Sequence, residues 1–103
     1  MATAEVIAGI CGFKSTIKAE KDGMNCKLTI SSDCEHINRL AQDLTMVDPY
    51  QEISHRGEGP VTLKLAATHC AHAACPVPAG IIKAIEVESG LALPADVTIK
   101  VSK

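Results

Sequence analysis

The strongest constraint on the fold is a pair of alternating segments on either side of Asp22-Gly23. Apolar and polar residues alternate over residues 15–20 and again over residues 24–31. Asp-Gly between two such segments is typical of a two-residue β-hairpin turn. The predicted turn brings the two apolar faces to the same side of the sheet. Its register pairs Lys21 with Met24, Ala19 with Cys26, and Ile17 with Leu28.

Two further strands are predicted at the ends of the chain. The β-branched and apolar segment from Ala4 to Ile10 predicts a first strand, with glycines at positions 9 and 12 marking the turn that follows. Near the other end, Val97 to Val101 alternates with polar residues and predicts a last strand. The first strand and the hairpin would form a meander in which strands one and three run in the same direction.

Three helices are predicted between the hairpin and the last strand. Ser32-Asp33-Cys34-Glu35 has the spacing of a capping box, with Ser32 as the N-cap of a helix that runs to about Leu44. Pro60 suits the N1 position of a second helix, Val61 to about His69. A third helix begins at the Pro-marked segment 75–78 and ends at Gly90, a glycine suited to the left-handed C-terminal position.

This order, β-β-β-α-α-α-β, predicts an α+β fold. We expect two layers, with an antiparallel or mixed sheet of about four strands and helices on one face. A chain of 103 residues is expected to form a single domain, residues 1–103. Residues 46–59 are predicted to be irregular, and the length of this segment makes it a candidate flap or partner surface.

Charge and hydropathy exclude several classes of partner. The formal net charge is only −2, and the Lys and Arg residues are scattered, whereas phosphate binding needs a concentrated basic face. We therefore expect no nucleic-acid partner and no electrostatic membrane anchor. No apolar segment approaches the length of a membrane span, and the start of the chain is not typical of a secretory signal. Five cysteines, an odd number, fit free or metal-bound thiols in the reducing cytoplasm better than a disulfide framework.

The cysteines are the candidate functional residues, because topology places several of them at one end of the fold. Cys11 follows the first strand, Cys34 lies in the first turn of the first helix, and Cys75 precedes the third helix. If residues 46–59 stay at the far end, the second helix returns Cys70 and His72 to the end where Cys11 lies. Helix N-termini stabilise anions, so the Cys34 and Cys75 thiolates are expected to be favoured.

Not every candidate points to a site. Cys26 falls on the apolar face of its strand, where a free cysteine is a good small core residue. Cys70 fits a core position as well as a ligand position. The segment His69-Cys70-Ala71-His72-Ala73-Ala74-Cys75 concentrates ligand-type residues, but its spacing is not that of a zinc finger. His36 and His55 are expected to be surface histidines. Of the acidic residues, Glu52 is expected on the loop surface, while Asp33 and Glu35 suit a helix start.

The chain resembles a small family of uncharacterised prokaryotic proteins, a domain of unknown function often met in anaerobes. The resemblance covers nearly the whole chain. It lies in Gly9-Ile10-Cys11-Gly12-Phe13, in Ser32-Asp33-Cys34, in Ala74-Cys75-Pro76-Val77-Pro78-Ala79-Gly80-Ile81, in residues 83–87 and in residues 90–94. It brings no established activity, and it implies that Cys11, Cys34 and Cys75 belong to the family's characteristic motifs.

Three functions follow from these observations. The leading hypothesis is a metal-binding or iron–sulfur domain with Cys11, Cys34 and Cys75 as ligands and Cys70 or His72 as the fourth; thiolates select zinc, iron–sulfur clusters or cuprous ions. The second is metal-free thiol chemistry, in which Cys34 or Cys75 is the nucleophile and another cysteine resolves the intermediate. The third is a non-catalytic binding or assembly module that uses residues 46–59 to contact a protein partner. Neither a substrate nor an oligomeric state follows from the sequence.

Overall fold

The structure is a computed structural model that describes residues 1–103. Its sheet has four antiparallel strands that neighbour each other in chain order: β1 (Ala2–Ile7), β2 (Lys14–Asp22), β3 (Asn25–Ser32) and β4 (Met46–Val47). Four helices follow or interrupt them: α1 (Glu35–Asp43), α2 (Pro49–Glu52), α3 (Val61–His69) and α4 (Val77–Glu88). A short 3-10 turn, Gly9–Cys11, connects β1 to β2. The predicted α+β class is confirmed.

The helices cover one face of the sheet, and the other face is open to solvent. Helix α4 packs on β1 and β2, α1 packs on β3, and α3 lies against α1 and α4. Neither aromatic residue is in the core, so the core gains its stability through many small aliphatic contacts. It consists of Ile17, Ala19, Cys26, Leu28, Ile37, Leu40, Leu44, Val47, Val77, Ile81, Ala84 and Ile85.

The β2–β3 hairpin forms as predicted, but its register is displaced by two residues. Asp22 pairs with Asn25, Ala19 with Leu28, and Ile17 with Ile30, so Gly23 and Met24 form the turn. Gly23 has a φ of 62°, which the first central position of a type II′ turn requires. The apolar faces still coincide, because side chains alternate with a period of two and a displacement by two preserves the face.

A buried hydroxyl explains why the observed register is favoured over the predicted one. Ser15 is 1% exposed and pairs with Ser32, and their hydroxyl oxygens lie 2.7 Å apart in a hydrogen bond. The predicted register would place Ser15 opposite Ile30, which has no polar side-chain atom. A buried hydroxyl without a partner costs about 1–3 kcal/mol, so this pair favours the observed register.

The predicted capping box at Ser32 is wrong. Helix α1 begins at Glu35 with Cys34 as its N-cap, because Ser32 is still the last residue of β3. The Ser32 hydroxyl accepts the Cys34 N–H at 2.9 Å, and Asn38 takes over the reciprocal role. The side-chain amide of Asn38 accepts the Ser32 N–H at 3.1 Å and donates to the Ser32 carbonyl at 2.9 Å.

The observed ends of α3, α4 and β1 lie closer to the predicted ones. Helix α3 coincides with the predicted second helix, and Pro60 is its N-cap rather than N1. Helix α4 ends as predicted, with Gly90 at a φ of 74° and the Leu91 N–H donating to the Glu86 carbonyl at 2.9 Å. The first strand lies earlier in the chain than predicted, because residues 8–13 form a closed turn in which the Ala8 N–H donates to the Phe13 carbonyl.

The predicted element order is wrong at two places. Residues 46–59 are not wholly irregular, because they contain β4 and α2. Strand β4 pairs with Cys26 and Lys27 at the start of β3, which is the end of the sheet opposite Cys34. The segment Val97–Val101 is not a strand of this sheet, and no other element of the chain pairs with it.

Helix α4 approaches β1 unusually closely at Gly80. A Cβ atom at this position would lie 2.5 Å from Cγ2 of Val6, so only a glycine allows the helix to lie here without displacing the strand. This contact fixes the end of α4 that carries Cys75 over the end of the sheet that carries the β1–β2 turn. No helix of the structure is long and apolar enough to cross a membrane.

Candidate thiol site

Four of the five cysteines line one pocket, so the predicted convergence is confirmed. The pocket has a volume of about 410 Å³ and opens at the end of the sheet where β1 and β3 end. Segments from three separate parts of the chain contribute to it, and none of its lining residues is acidic. The lining residues are Ala8, Ile10, Cys11, Phe13, Cys34, His36, Ile37, Cys70, Ala71, His72, Ala74 and Cys75.

Local hydrogen bonds position the backbone of each cysteine. Cys34 is the N-cap of α1 and is held by the Ser32 hydroxyl. Cys75 lies one residue before Pro76, the N-cap of α4, and its N–H donates to the His72 carbonyl at 3.2 Å. Both thiols therefore lie at helix N-termini, as predicted, where the helix dipole favours negative charge.

Cys11 and Cys70 complete the set of thiols in different ways. Cys11 is exposed at the end of the 3-10 turn, with its sulfur 4.0 Å from the Ala8 carbonyl oxygen. Cys70 is the half-buried C-cap of α3, and its N–H donates to the Ala66 carbonyl at 2.8 Å. All four thiols are free.

The Cys70 thiol holds its proton more strongly than an ordinary cysteine. Its pKa is raised to about 11, first because burial disfavours the thiolate. The Cys75 thiol raises this pKa further, both as a nearby negative charge and through a hydrogen bond, and Cys34 adds a smaller repulsion. The charges of Cys75 and Cys34 therefore act on Cys70 within the pocket that all three residues line.

Two histidines lie beside these thiols, and one of them was not predicted. His72 lines the pocket as expected from its place between Cys70 and Cys75. His36 also lines it, although its isolated position in the sequence suggested a plain surface residue. The available signal was its place two residues after Cys34, in the first turn of the helix that Cys34 caps. His55 is exposed and does not line the pocket.

His69 is turned away from the pocket by a partner on α1. Its Nε2 atom lies 2.8 Å from a carboxylate oxygen of Asp43, and it does not line the pocket. This contact joins the ends of α1 and α3. The C-terminus of α3, and therefore Cys70, is held against α1.

The fifth cysteine is a core residue, as predicted. Cys26 is fully buried on β3 among the aliphatic side chains of the core. Burial raises the pKa of its thiol, and the nearby Glu88 carboxylate raises it further. Cys26 therefore has the properties of a small apolar residue and takes no part in the pocket.

The pocket thiols do not form a preassembled coordination sphere. In the described conformation, no three His, Cys, Asp or Glu side chains are grouped closely enough to hold a metal ion. Residues 70–76 connect α3 to α4 without regular structure, and most of them are exposed. This loop carries Cys70, His72 and Cys75, and Cys70 is at the same time the C-cap of α3.

The expectation for Glu52 is wrong, because this residue is buried and structural. It is 1% exposed, and its carboxylate accepts the Val61 N–H at 2.9 Å and the Thr62 N–H at 2.8 Å. The Thr62 hydroxyl donates to the same carboxylate at 2.6 Å. These N–H groups open α3 and lack partners within the helix, so Glu52 caps α3 from a distance.

A second cavity lies on the other side of the loop of residues 70–76. It has a volume of about 770 Å³ and runs between α3 and α4. Leu63, Ala66 and Ile82 give it an apolar lining, and Cys70, His72 and Cys75 line both cavities. The loop that carries these residues thus separates two concave surfaces.

The comparisons with known proteins give a family and no activity. No curated protein and no solved structure matches the chain. The model of a family of unknown function, DUF6951, matches residues 2–101, which include the sheet, all four helices and every cysteine. The chain therefore belongs to this family of unknown function, DUF6951.

Proposed function

We propose that the thiol pocket binds a soft metal ion, such as zinc, or an iron–sulfur centre. The observation that supports this most directly is the convergence of four cysteines and two histidines on one pocket without a carboxylate. Thiolate and imidazole ligands suit zinc, cuprous ions and iron–sulfur clusters, whereas magnesium and calcium require oxygen ligands. Free thiols of this kind persist in a reducing compartment such as the cytoplasm.

Cys11, Cys34 and Cys75 are the proposed ligands, with Cys70 or His72 as the fourth. Both candidates for the fourth position line the same pocket as the other three ligands. A bound cation would stabilise the thiolates, and the apolar lining of the pocket would strengthen that attraction. Binding requires the loop of residues 70–76 to draw its side chains together, because they are not grouped for coordination beforehand.

Metal binding at this site depends on pH because ligation displaces protons. The pKa of Cys70 is about 11, so this thiol is protonated at neutral pH and must lose its proton to a ligated metal. The apparent affinity therefore rises with pH. The proposed role of the centre is structural, electron-transferring, or that of a carrier for a larger enzyme.

Anaerobic purification tests the proposal. The full chain is purified without oxygen, and its metal content, acid-labile sulfide and visible spectrum are measured. Zinc uptake and cluster reconstitution are then measured on the same preparation. A Cys34→Ser, Cys75→Ser double variant is expected to lose at least tenfold in metal content or affinity, whereas the core variant Cys26→Ala keeps the wild-type value. A colourless, metal-free protein that takes up neither zinc nor a cluster would overturn the proposal.

A second candidate is a metal-free thiol protein, which the location of Cys34, Cys70 and Cys75 in one pocket favours. Cys75 or Cys34 would attack a substrate disulfide as the thiolate, forming a mixed disulfide and releasing one substrate thiol. A neighbouring cysteine, for which Cys70 is suited by position, would lose its proton and attack the mixed disulfide, releasing the second thiol and leaving a protein disulfide. The substrate is thereby reduced by two electrons and the protein is oxidised by two.

Alkylation rates distinguish this candidate from the first. A thiol activated for attack reacts rapidly with iodoacetamide below neutral pH, in the absence of any metal. Mass spectrometry of the labelled protein gives the rate for each cysteine. Slow labelling of both Cys34 and Cys75 would exclude this candidate, and it would leave the metal proposal unaffected.

A further inference from the structure

The C-terminal segment has the pattern of a strand but makes no hydrogen bond in its own chain. No backbone or side-chain hydrogen bond involves residues 92–103. Its apolar side chains are exposed to solvent: Val97 is 58%, Ile99 is 73% and Val101 is 90% exposed. The intervening residues, Thr98 and Lys100, are polar. We call Val97–Val101 the tail strand.

This alternation is typical of a strand with one buried face. In a strand, Val97, Ile99 and Val101 point to the same side, and Thr98 and Lys100 point to the other. Three adjacent aliphatic side chains gain free energy when they are removed from water. The tail strand therefore fits a sheet edge that offers one apolar face and one polar face.

Strand β1 provides such an edge. It pairs only with β2, so the hydrogen-bonding groups along its other edge have no strand partner. Edges of this kind are ready templates for an additional strand. The opposite edge of the sheet is less available, because β4 already pairs with the start of β3 and the Leu28 N–H donates to the Thr45 carbonyl.

The faces and the charges of the two segments match. The helix-facing residues of β1 are the half-buried Ala2, Ala4 and Val6, which leave apolar surface beside α4 for a neighbouring strand to cover. If Ile99 of the tail strand faces the helices, Lys100 faces the opposite, solvent-exposed side of the sheet, where Glu5 of β1 also lies. A Lys–Glu pair on neighbouring strands is favourable.

We propose that the tail strand of one copy adds to the free edge of β1 in a second copy of the chain, and that the exchange is reciprocal. A second copy supplies both missing parts at once, a free β1 edge and a tail strand, so a twofold dimer satisfies both surfaces. Within one chain the tail strand does not pair with that edge. The proposal is independent of what the thiol pocket binds.

The test combines oligomeric state with hydrogen exchange on the full chain. Light scattering after size exclusion is expected to show a concentration-dependent dimer. Amide exchange in that dimer is expected to show protection of residues 97–101 and of the β1 amides that are not bonded to β2. The Ile99→Asp variant is expected to weaken the dimer at least tenfold and to abolish the added protection. Its monomer should fold normally, because Ile99 is 73% exposed and forms no hydrogen bond.

Met24→Asp is the matched control. Met24 is 87% exposed at the β2–β3 turn and belongs to neither β1 nor the tail strand, so it places the same charge on a highly exposed apolar residue outside both segments. This variant should dimerise as the wild type does. A protein that stays monomeric at every concentration would overturn the proposal, and so would a dimer that persists in Ile99→Asp. Protection of residues 97–101 in a monomer would show pairing within one chain and would also overturn it.

Discussion

The Glu52 carboxylate and the thiols of the pocket differ in their burial and in their hydrogen-bond partners. Glu52 is buried, and its carboxylate accepts three hydrogen bonds from Val61 and Thr62. In the pocket, Cys34, Cys70 and Cys75 line one concave surface, and none of them is buried to the extent of Glu52. The Cys70 proton is held more firmly than usual. The Glu52 carboxylate has its partners within the chain, whereas the four pocket thiols are free.

This difference shows which polar residues serve the fold and which are free for function. A buried carboxylate with a full set of donors is part of the scaffold, and removing it leaves several groups without partners. Burial keeps the Cys70 thiol protonated, and under the proposed function a bound cation would displace that proton. Variants at the two regions should therefore affect stability and ligand binding in opposite proportions.

The largest expected effect is on stability in the Glu52→Ala variant. Removing the carboxylate leaves the Val61 N–H, the Thr62 N–H and the Thr62 hydroxyl without their acceptor. We expect a loss of about 3 kcal/mol in the free energy of unfolding. Urea denaturation measures this loss. Glu52→Gln, which keeps one carbonyl acceptor, should lose less, and a Glu52→Ala variant within about 0.5 kcal/mol of wild type would contradict the capping role.

The next largest effect tests the packing that holds the Cys75 end of α4 over the sheet. In Gly80→Ala the new methyl group would lie 2.5 Å from Cγ2 of Val6, so either the Val6 side chain changes its rotamer or helix and strand separate. We expect a loss of about 2 kcal/mol, larger than the gain from the better helix propensity of alanine. Urea denaturation of the Gly80→Ala, Val6→Ala double variant is the companion measurement. If its loss is the sum of the two single losses, the proposed contact is not the cause.

A smaller effect separates the core cysteine from the pocket cysteines. Cys26→Ser places a hydroxyl in a fully buried apolar site and should cost about 1–2 kcal/mol in unfolding free energy. Cys75→Ser, at a half-buried position, should cost less, under about 0.5 kcal/mol. Thermal or urea unfolding of both variants without metal gives the comparison. Equal losses would mean that Cys75 belongs to the scaffold.

The smallest expected effect at neutral pH is due to Cys70, because it becomes measurable only as the pH rises above 9. Its pKa is raised from 9.0 to about 11 in the folded chain, so the folded state binds this proton more tightly than the unfolded state. The corresponding stability is fully present below pH 9 and is lost as the pH rises through 11. Wild type should therefore lose more stability than Cys70→Ala between these values. Other groups titrate equally in both proteins, so parallel curves would contradict the assignment.

Much of the fold follows from local sequence patterns. Helix α3, the end of α4 at Gly90 and the faces of the hairpin were all predicted, because proline, glycine and alternating residues act over a few positions. The convergence of Cys11, Cys34, Cys70 and Cys75 also followed, since strand directions and connection lengths determine which ends meet.

The errors arise where a distant residue supplies the deciding contact. The N-terminus of α3 takes its capping carboxylate from Glu52, nine residues before Val61. Asn38 displaces Glu35 as the reciprocal partner of Ser32. The inclusion of His36 in the pocket depends on where the loop of residues 70–76 lies. No local pattern contains these facts. The tail strand has the right pattern for a strand, but pattern alone does not determine which chain it pairs with.

The Ser15–Ser32 hydrogen bond has a consequence for the thiol pocket itself. A register change of two residues between β2 and β3 keeps the same side chains on the buried face, so hydrophobic burial does not select between the two registers. Such a change would nevertheless move one strand by about 7 Å along the other. The hydroxyl of Ser32 also accepts the Cys34 N–H, so Cys34 would travel with it. One pair of serines thus determines where Cys34 lies relative to the other cysteines of the pocket.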